Sequence, residues 1–283
     1  MEGFFGQLLG TVALRPYFFA FFLAYLLACS LHLGLKRALL FAVAGYAIAW
    51  TCEYSSIHNG IPFGSYYYIP ATKGRELWVL GVPFMDSMSF VFLAYASYTM
   101  ALFAISPAVR AGGIYLLENR KIRHSFGARL LGALFFMYLD IVIDPVALRG
   151  DRWFLGLIYG YAQGGVYFGI PISNFIGWLC VGFILIWVLQ LIDRLPGRDL
   201  YAPAFPLRYI FGPALYCGVM LFNMSMTLYI GEYNLLWADI FIVLLPLALL
   251  VAGVKARLRG TDAPSALEAH LRDFPDAVVP GRG

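Results

Sequence analysis

Five acidic residues stand within or beside long apolar runs of the chain: Glu53, Asp86, Asp140, Asp144 and Asp239. Ionisable groups set in hydrocarbon are costly and mark functional positions, so the search for chemistry begins with them. Asp140 and Asp144, in YLDIVIDPVALRG, lie one helical turn apart and project from one helix face. Two carboxyl groups so placed divide roles, one serving as general acid while its partner remains a base. Pro145 disfavours the helical conformation at Asp144. Freed backbone there would orient that carboxyl, which makes Asp144 the preferred proton donor. The structural alternative is that Asp144 caps neighbouring backbone and Asp140 pairs with Arg149 or Arg152.

Glu53 opens a different kind of segment. In CEYSSIHNGIPFGSYYYIP, residues 52–70, the acid is followed by Asn59, a Gly/Pro turn with Phe63, and the tyrosines Tyr66, Tyr67 and Tyr68. A weak internal repeat links it to the Asp140 segment. Glu53 is followed 28 residues later by GVPFMDSMSF from Gly81, and Asp140 is followed 29 residues later by GIPISNFIGW from Gly169. Each half thus reads acid, aromatic loop, G-[VI]-P, helix. Pro83 and Pro171 suit a first helical turn, where no N–H is needed, and set Asp86 and Asn174 one turn inside. Two similar helix starts would give the same pattern without shared chemistry.

Aromatic residues gather in the same loops: Trp78 in the first, Trp153, Tyr159, Tyr161 and Tyr167 in the second, with Trp178 in the helix beyond. Belts of Trp and Tyr at the membrane interface are ordinary. Aromatic faces also stabilise cations, by about 2 kcal/mol or more where water is excluded. Acids together with aromatic faces are what a carbocation reaction requires.

The elements that must position these groups follow from composition. Of 283 residues, 61% are hydrophobic and 13% charged, and mean hydropathy is +0.75, where soluble domains carry roughly 25% charged residues. Apolar runs of about 20 residues span the hydrocarbon core as helices. Seven are read, at roughly 12–34, 37–56, 81–106, 126–147, 169–193, 204–228 and 234–254. The expected fold is an all-α polytopic membrane bundle over residues 1–260, followed by a polar, mobile tail over 261–283. The first run is too long for a cleavable signal peptide and is expected to remain as a helix.

Basic residues fall in alternate connections: Lys36 and Arg37; Arg110, Arg120, Lys121 and Arg123; Arg194, Arg198 and Arg208; Lys255, Arg257 and Arg259. Basic loops stay on the cytoplasmic side, which puts the C-terminus in the cytoplasm, fits a bacterial cytoplasmic membrane, and sets the acids toward the outer end. A net charge of +4 divided among short loops forms no nucleic-acid patch. Cys29, Cys52, Cys180 and Cys217 show no CxxC spacing and His32, His58, His124 and His270 no HxxxH or HExxH pattern, so neither a disulfide framework nor a metal site is expected.

The segments EYSSIHNGIPFGSYYY, GVPFMDSMSF, DIVIDPVALRGDRW and YFGIPISNFIGW resemble the membrane-integral carotenoid biosynthesis family, whose characterised members are CruF-type carotenoid 1,2-hydratases. The resemblance covers residues 45–190. It implies addition of water to the terminal C1=C2 double bond of an acyclic ψ-end, as in lycopene or γ-carotene, with no cofactor. On this reading Asp144, Asp140, Glu53 and Asp86 are the catalytic candidates. Asn59, Phe63, Tyr66, Tyr68, Trp78, Trp153, Tyr167, Asn174 and Trp178 are the candidates that hold a polyene and water. Two other readings stand beside it: a lipid or ion transporter using the intramembrane acids, and a carotenoid-binding subunit without catalysis. A retinal photoreceptor is excluded, because Lys36, Lys73, Lys121 and Lys255, the only lysines, all lie at loops or span ends.

Overall fold

The computed structural model describes residues 3–110, 114–196, 208–258 and 263–275. Its helices are α1 (Phe4–Leu14), α2 (Pro16–Leu33), α3 (Leu35–Asn59), α4 (Phe84–Ile105), α5 (Arg120–Arg123), α6 (Phe126–Ala147), α7 (Ile172–Asp193), α8 (Phe211–Tyr229), α9 (Tyr233–Arg257) and α10 (Ala263–Asp273). Short strands β1 (Tyr67–Tyr68), β2 (Trp78–Val79), β3 (Val82–Pro83), β4 (Ala108–Arg110), β5 (Ile114–Leu116) and β6 (Tyr159–Gly160) pair in three antiparallel ladders, β1 with β6, β2 with β3 and β4 with β5. Among the described residues seven helices, α2, α3, α4, α6, α7, α8 and α9, are long and apolar enough to cross a membrane. The fold is an all-α polytopic membrane bundle.

The first span is shorter than expected. The apolar run breaks at Arg15, outside helical geometry, and α2 starts afresh with Pro16 at its first turn, where a missing N–H costs nothing. The Arg15 guanidinium turns inward onto Glu76, with Nε at 3.0 Å and Nη2 at 2.9 Å from its two oxygens, and it also donates to the Leu155 carbonyl. One buried arginine therefore fastens both long loops to the start of α2. The sixth expected span began at 204; residues 204–207 lie outside the described set, and α8 opens at Phe211.

Helix α4 is the axis of the bundle. Its run from Phe90 to Leu102 is buried on every side, as befits a helix apolar all round, and α3, α6, α7 and α8 pack around it. Glycines allow the closest approaches: a Cβ on Gly182 of α7 would meet the Phe136 ring of α6, and one on Gly177 would meet the Pro62 carbonyl. Helix α9 lies outermost, with Trp237, Phe241, Leu245 and Leu249 exposed.

Antiparallel connection sorts the polar groups into two ends. The end of α3, start of α4, end of α6 and start of α7 carry Glu53, Asp86, Asp144 and Asn174 together. The opposite end carries a buried ion network. There Glu118 Oε2 accepts from Arg123 Nε at 2.8 Å and lies 2.9 Å from His32 Nε2, while Asp193 Oδ2 lies 2.9 Å from His124 Nε2. Arg37, at the start of α3, donates to the Leu33 and Leu195 carbonyls. Although burial opposes ionisation, His32 and Arg123 hold the Glu118 carboxyl well below its ordinary range.

The segment expected to be a mobile tail contains α10, which docks on this network. His270 Nδ1 donates to the Glu118 carbonyl at 2.5 Å, the Arg120 amide donates to Asp273 at 2.8 Å, and the Arg123 guanidinium lies 4.6 Å from the Phe274 ring centroid. The polar composition concealed the few inward side chains that attach it.

Candidate active site

The site is assembled from two loops and four helix ends. The β1–β6 ladder sets Tyr68 opposite Tyr159 and Tyr67 opposite Gly160, and the Ile69 amide extends the pairing to the Ile158 carbonyl at 2.7 Å. Successive side chains of a strand point to opposite faces, so Tyr66 and Tyr68 turn inward while Tyr67 is exposed. The tyrosine-rich run after Glu53 thereby meets its counterpart from the second half of the chain.

Tyr68 Oη donates to Asp86 Oδ2 at 2.6 Å, and Tyr66 Oη donates to Tyr68 Oη at 3.3 Å. Ser87 donates to Glu53 Oε2. Across the site Asp144 is addressed by three donors: Tyr159 Oη at 2.7 Å, Tyr161 Oη at 3.2 Å and Asn174 Nδ2 at 2.8 Å. Asn174 Nδ2 also reaches Asp140 Oδ2 at 2.7 Å, so one amide holds both members of the α6 pair. Burial, and then the neighbouring carboxylates, push the Tyr66, Tyr68, Tyr159 and Tyr161 hydroxyls far above the ordinary phenol range, which keeps them as neutral O–H donors.

These groups surround a cavity of about 40 Å³ lined by Glu53, Asp86, Asp144, Tyr66, Tyr161 and Asn174 among others. One water needs about 10–15 Å³, so the cavity has room for water between carboxyl groups. Its wall is aromatic. Trp178 stacks on Phe90 with ring centroids 4.6 Å apart, Phe136 packs behind the pair at 4.6 Å from Trp178 and 5.7 Å from Phe90, and Phe63 packs on Phe90 at 5.7 Å.

Glu53, Asp86, Asp144, Phe63, Tyr66, Tyr68, Asn174 and Trp178 thus share one cavity. Asp140 stands behind it, fully buried, with Oδ2 held by Asn174. Neither Arg149 nor Arg152 pairs with Asp140; both engage Glu232. Trp78 stacks edge-on to Tyr68 at 6.0 Å, one layer out. Trp153 lines a second, adjoining cavity.

Two candidates lie elsewhere. Asn59 is exposed and accepts from the Ile61 amide at 3.0 Å, closing the turn after α3, the ordinary local bond of Asn in turns. Tyr167 packs on Phe168 and Phe175 at 4.9 and 5.8 Å, outside the cavity. Helix α6 does not break at Asp144 but runs to Ala147, the Leu148 amide bonding back to the Asp144 carbonyl at 2.9 Å. Tyr159 and Tyr161 from the second loop and Ser87 from the first turn of α4 complete the site, and none carried a signal beyond its place in the chain.

A polytopic helical bundle with a water-sized, carboxyl-lined cavity near one end of its spans is the class of protein that this geometry defines. The chain matches the carotenoid biosynthesis protein family over residues 7–249 and belongs to that family. It is 30% identical over 190 residues to the bisanhydrobacterioruberin hydratase of Haloarcula japonica, an alignment spanning 64% of this chain and 56% of that relative. No solved structure matches the chain.

Proposed function

We propose that the protein is a carotenoid hydratase that adds water across the terminal C1=C2 double bond of an acyclic ψ-end carotenoid. Family membership and the hydratase relative support the class of reaction. The observation that carries the mechanism is a water-sized cavity in which Asp86 has one oxygen bonded by Tyr68 while Asp144 accepts three donors.

That asymmetry favours a division of roles other than donation from Asp144. A carboxyl addressed by three donors is arranged as an acceptor, whereas Asp86 can turn a proton toward substrate. Asp86 protonates C2, the π pair forming the new C–H bond and leaving a tertiary cation at C1. Water in the cavity bonds to C1 through oxygen and releases its proton to Asp144. Glu53, fixed by Ser87, orients that water. The proton returns from Asp144 to Asp86 through cavity water and the tyrosine hydroxyls. Trp178 and Phe90, both in the cavity wall, offer ring faces to the cation.

We place the protein in a bacterial cytoplasmic membrane with its C-terminus in the cytoplasm. Exposed Lys36, Arg120, Lys121, Arg194 and Lys255 support this under the positive-inside rule. The test is extraction and mass analysis of pigments from a lycopene-producing host with and without the chain. A product heavier by one water supports hydration; unchanged pigment alongside altered lipid or proton flux overturns it in favour of transport.

A further inference from the structure

Beside the water-sized cavity lies a second of about 120 Å³. The two share Asp86, Phe90, Asp144, Tyr159 and Trp178, so the same two carboxyl groups border both. Beyond further residues of α4, α6 and the second loop, part of the wall comes from two helices without any of the sequence motifs: Tyr17, Phe18 and Phe21 of α2, and Val219, Phe222 and Asn223 of α8.

The lining excludes most ligand classes. Its polar side chains turn their donors to protein acceptors: Ser89 Oγ to the Asp86 carbonyl at 2.6 Å, Asn223 Nδ2 to the Val219 carbonyl at 2.9 Å, and Tyr159 Oη to Asp144. Among the described residues no basic one lines it. A phosphate or nucleotide would meet two carboxyl groups and no basic residue there, and a sugar's many hydroxyls would find few acceptors beyond Asp86 and Asp144, while hydrocarbon needs no polar partner. Its size is near that of the ~150 Å³ apolar cavities that stay dry and accept a benzene-sized molecule. Only the tip of a long chain fits, and the remainder must leave through a wall.

One wall consists of rings alone. Tyr17 stacks on Phe222 at 5.4 Å with 16° between planes, and Phe21 meets the same ring edge-on at 5.5 Å. All three are half-buried, between α2 and α8, whose outer faces expose Leu23, Leu27, Leu221 and Leu228. Phe21 and Phe222 are held by packing and can move by rotamer change without breaking a hydrogen bond, while the Tyr17 hydroxyl is tied to the Arg15 guanidinium. The other walls are helix backbone or the loops fastened by Arg15 and Glu76.

We propose that this chamber binds the terminal isoprene units of an acyclic isoprenoid hydrocarbon, which enters sideways from the lipid between α2 and α8 past Tyr17, Phe21 and Phe222. The identity of the chain as a carotenoid rests on the hydratase reading; the apolar class and the route do not. A single acyclic isoprene tip is close to benzene in size and can reach Asp86 and Asp144, whereas a cyclised end-group, a six-membered ring bearing three methyls, is bulkier than the chamber's benzene-sized volume. Val219 and Phe222 thereby become determinants of end-group specificity.

The test uses the full chain in lipid vesicles, reading the quenching of tryptophan fluorescence, Trp153 and Trp178 both lying in the chamber wall, by lycopene and by β-carotene. Lycopene should quench saturably and β-carotene should not. Val219→Phe, which fills the chamber, should raise the half-saturating lycopene concentration about tenfold, as overpacking by 1–3 kcal/mol implies. Val219→Leu should do so less, and equal helix content in both variants excludes misfolding. Saturable quenching without any hydrated product would keep the chamber and discard the hydratase. Equal quenching by both pigments, or Val219→Phe binding lycopene like the parent chain, would overturn the chamber.

Discussion

Tyr68 and Tyr159 stand opposite one another in the β1–β6 ladder, and each delivers its hydroxyl to a different acid, Tyr68 to Asp86 at 2.6 Å and Tyr159 to Asp144 at 2.7 Å. One backbone pairing therefore positions both carboxyl groups of the proposed reaction. Replacing either tyrosine by Phe keeps the ring and removes the donor. Each single change should lower the hydration rate about tenfold or more, since hydrogen bonds to charged groups are worth about 1.5–3 kcal/mol. The double change should cost less than the sum, because the two act through one site. Strict additivity in a double-mutant cycle would show that the two acids work independently.

Asp86→Asn and Asp144→Asn remove acidity at nearly constant size. Each should reduce the rate by roughly 10²–10⁴-fold, the usual worth of general acid–base catalysis. Glu53→Gln should weaken the reaction as well. Asp140→Asn should act more mildly, through Asn174, and Asp239→Asn should be mildest. The measurement is product formed per inserted protein from a ψ-end carotenoid. Full activity in both Asp86→Asn and Asp144→Asn would place the acid elsewhere.

Trp178, packed against Phe90 and Phe136 and lining the cavity, is the ring best placed to shield a cation. Losing a desolvated cation–π contact of about 2 kcal/mol corresponds to roughly thirtyfold in rate. Trp178→Leu should show that loss, with Trp178→Phe retaining part of the activity. A leucine variant as fast as the parent would remove the aromatic wall from the mechanism.

Orientation is open to direct labelling. In a chain whose four native cysteines are replaced by Ala, a cysteine at exposed Lys121 should resist a membrane-impermeant reagent applied from outside. One at exposed Phe154, at the acid end, should react. The reverse pattern would invert the molecule in the membrane.

Because its carboxyl is held below its ordinary range, Glu118 stabilises the folded state at neutral pH. A depressed folded-state value means that this contribution is complete above the ordinary value of 4.5 and fades as pH falls below it. Thermal stability in detergent should therefore hold down to about pH 4.5 and fall progressively below it, as pH drops from the ordinary value toward the depressed one. Glu118→Gln should be less stable at neutral pH and depend less on acid. An identical pH profile in the two would dissociate Glu118 from acid sensitivity.

The residues legible in the sequence were those whose type is improbable in lipid. Glu53, Asp86 and Asp144 stood out because carboxyl groups are rare in spans, and Asn174 because the repeat put it in register with Asp86. Tyr159 and Tyr161 could not be separated from interfacial tyrosines until the β1–β6 pairing aimed them inward. Tyr167, of the same type and loop, points elsewhere for want of such a pairing. Asn59 misled because a turn-closing Asn and a site Asn look alike in one sequence. The walls from α2 and α8 were invisible, since Phe21, Val219 and Phe222 are the residues any lipid-embedded helix would carry. The run of apolar positions revealed how many spans there are, not which faces enclose space.

The sorting of polar groups to the two ends of the spans has a practical meaning for how this protein tolerates change. Groups that hold the helices together, Glu118, Arg123, Asp193 and α10, share no side chain with those proposed to act on substrate. Sites far apart and without common partners combine additively. Stabilising replacements near α10 and replacements that reshape selectivity near Phe222 should therefore be separable in engineering, so that robustness and substrate choice can be altered one at a time.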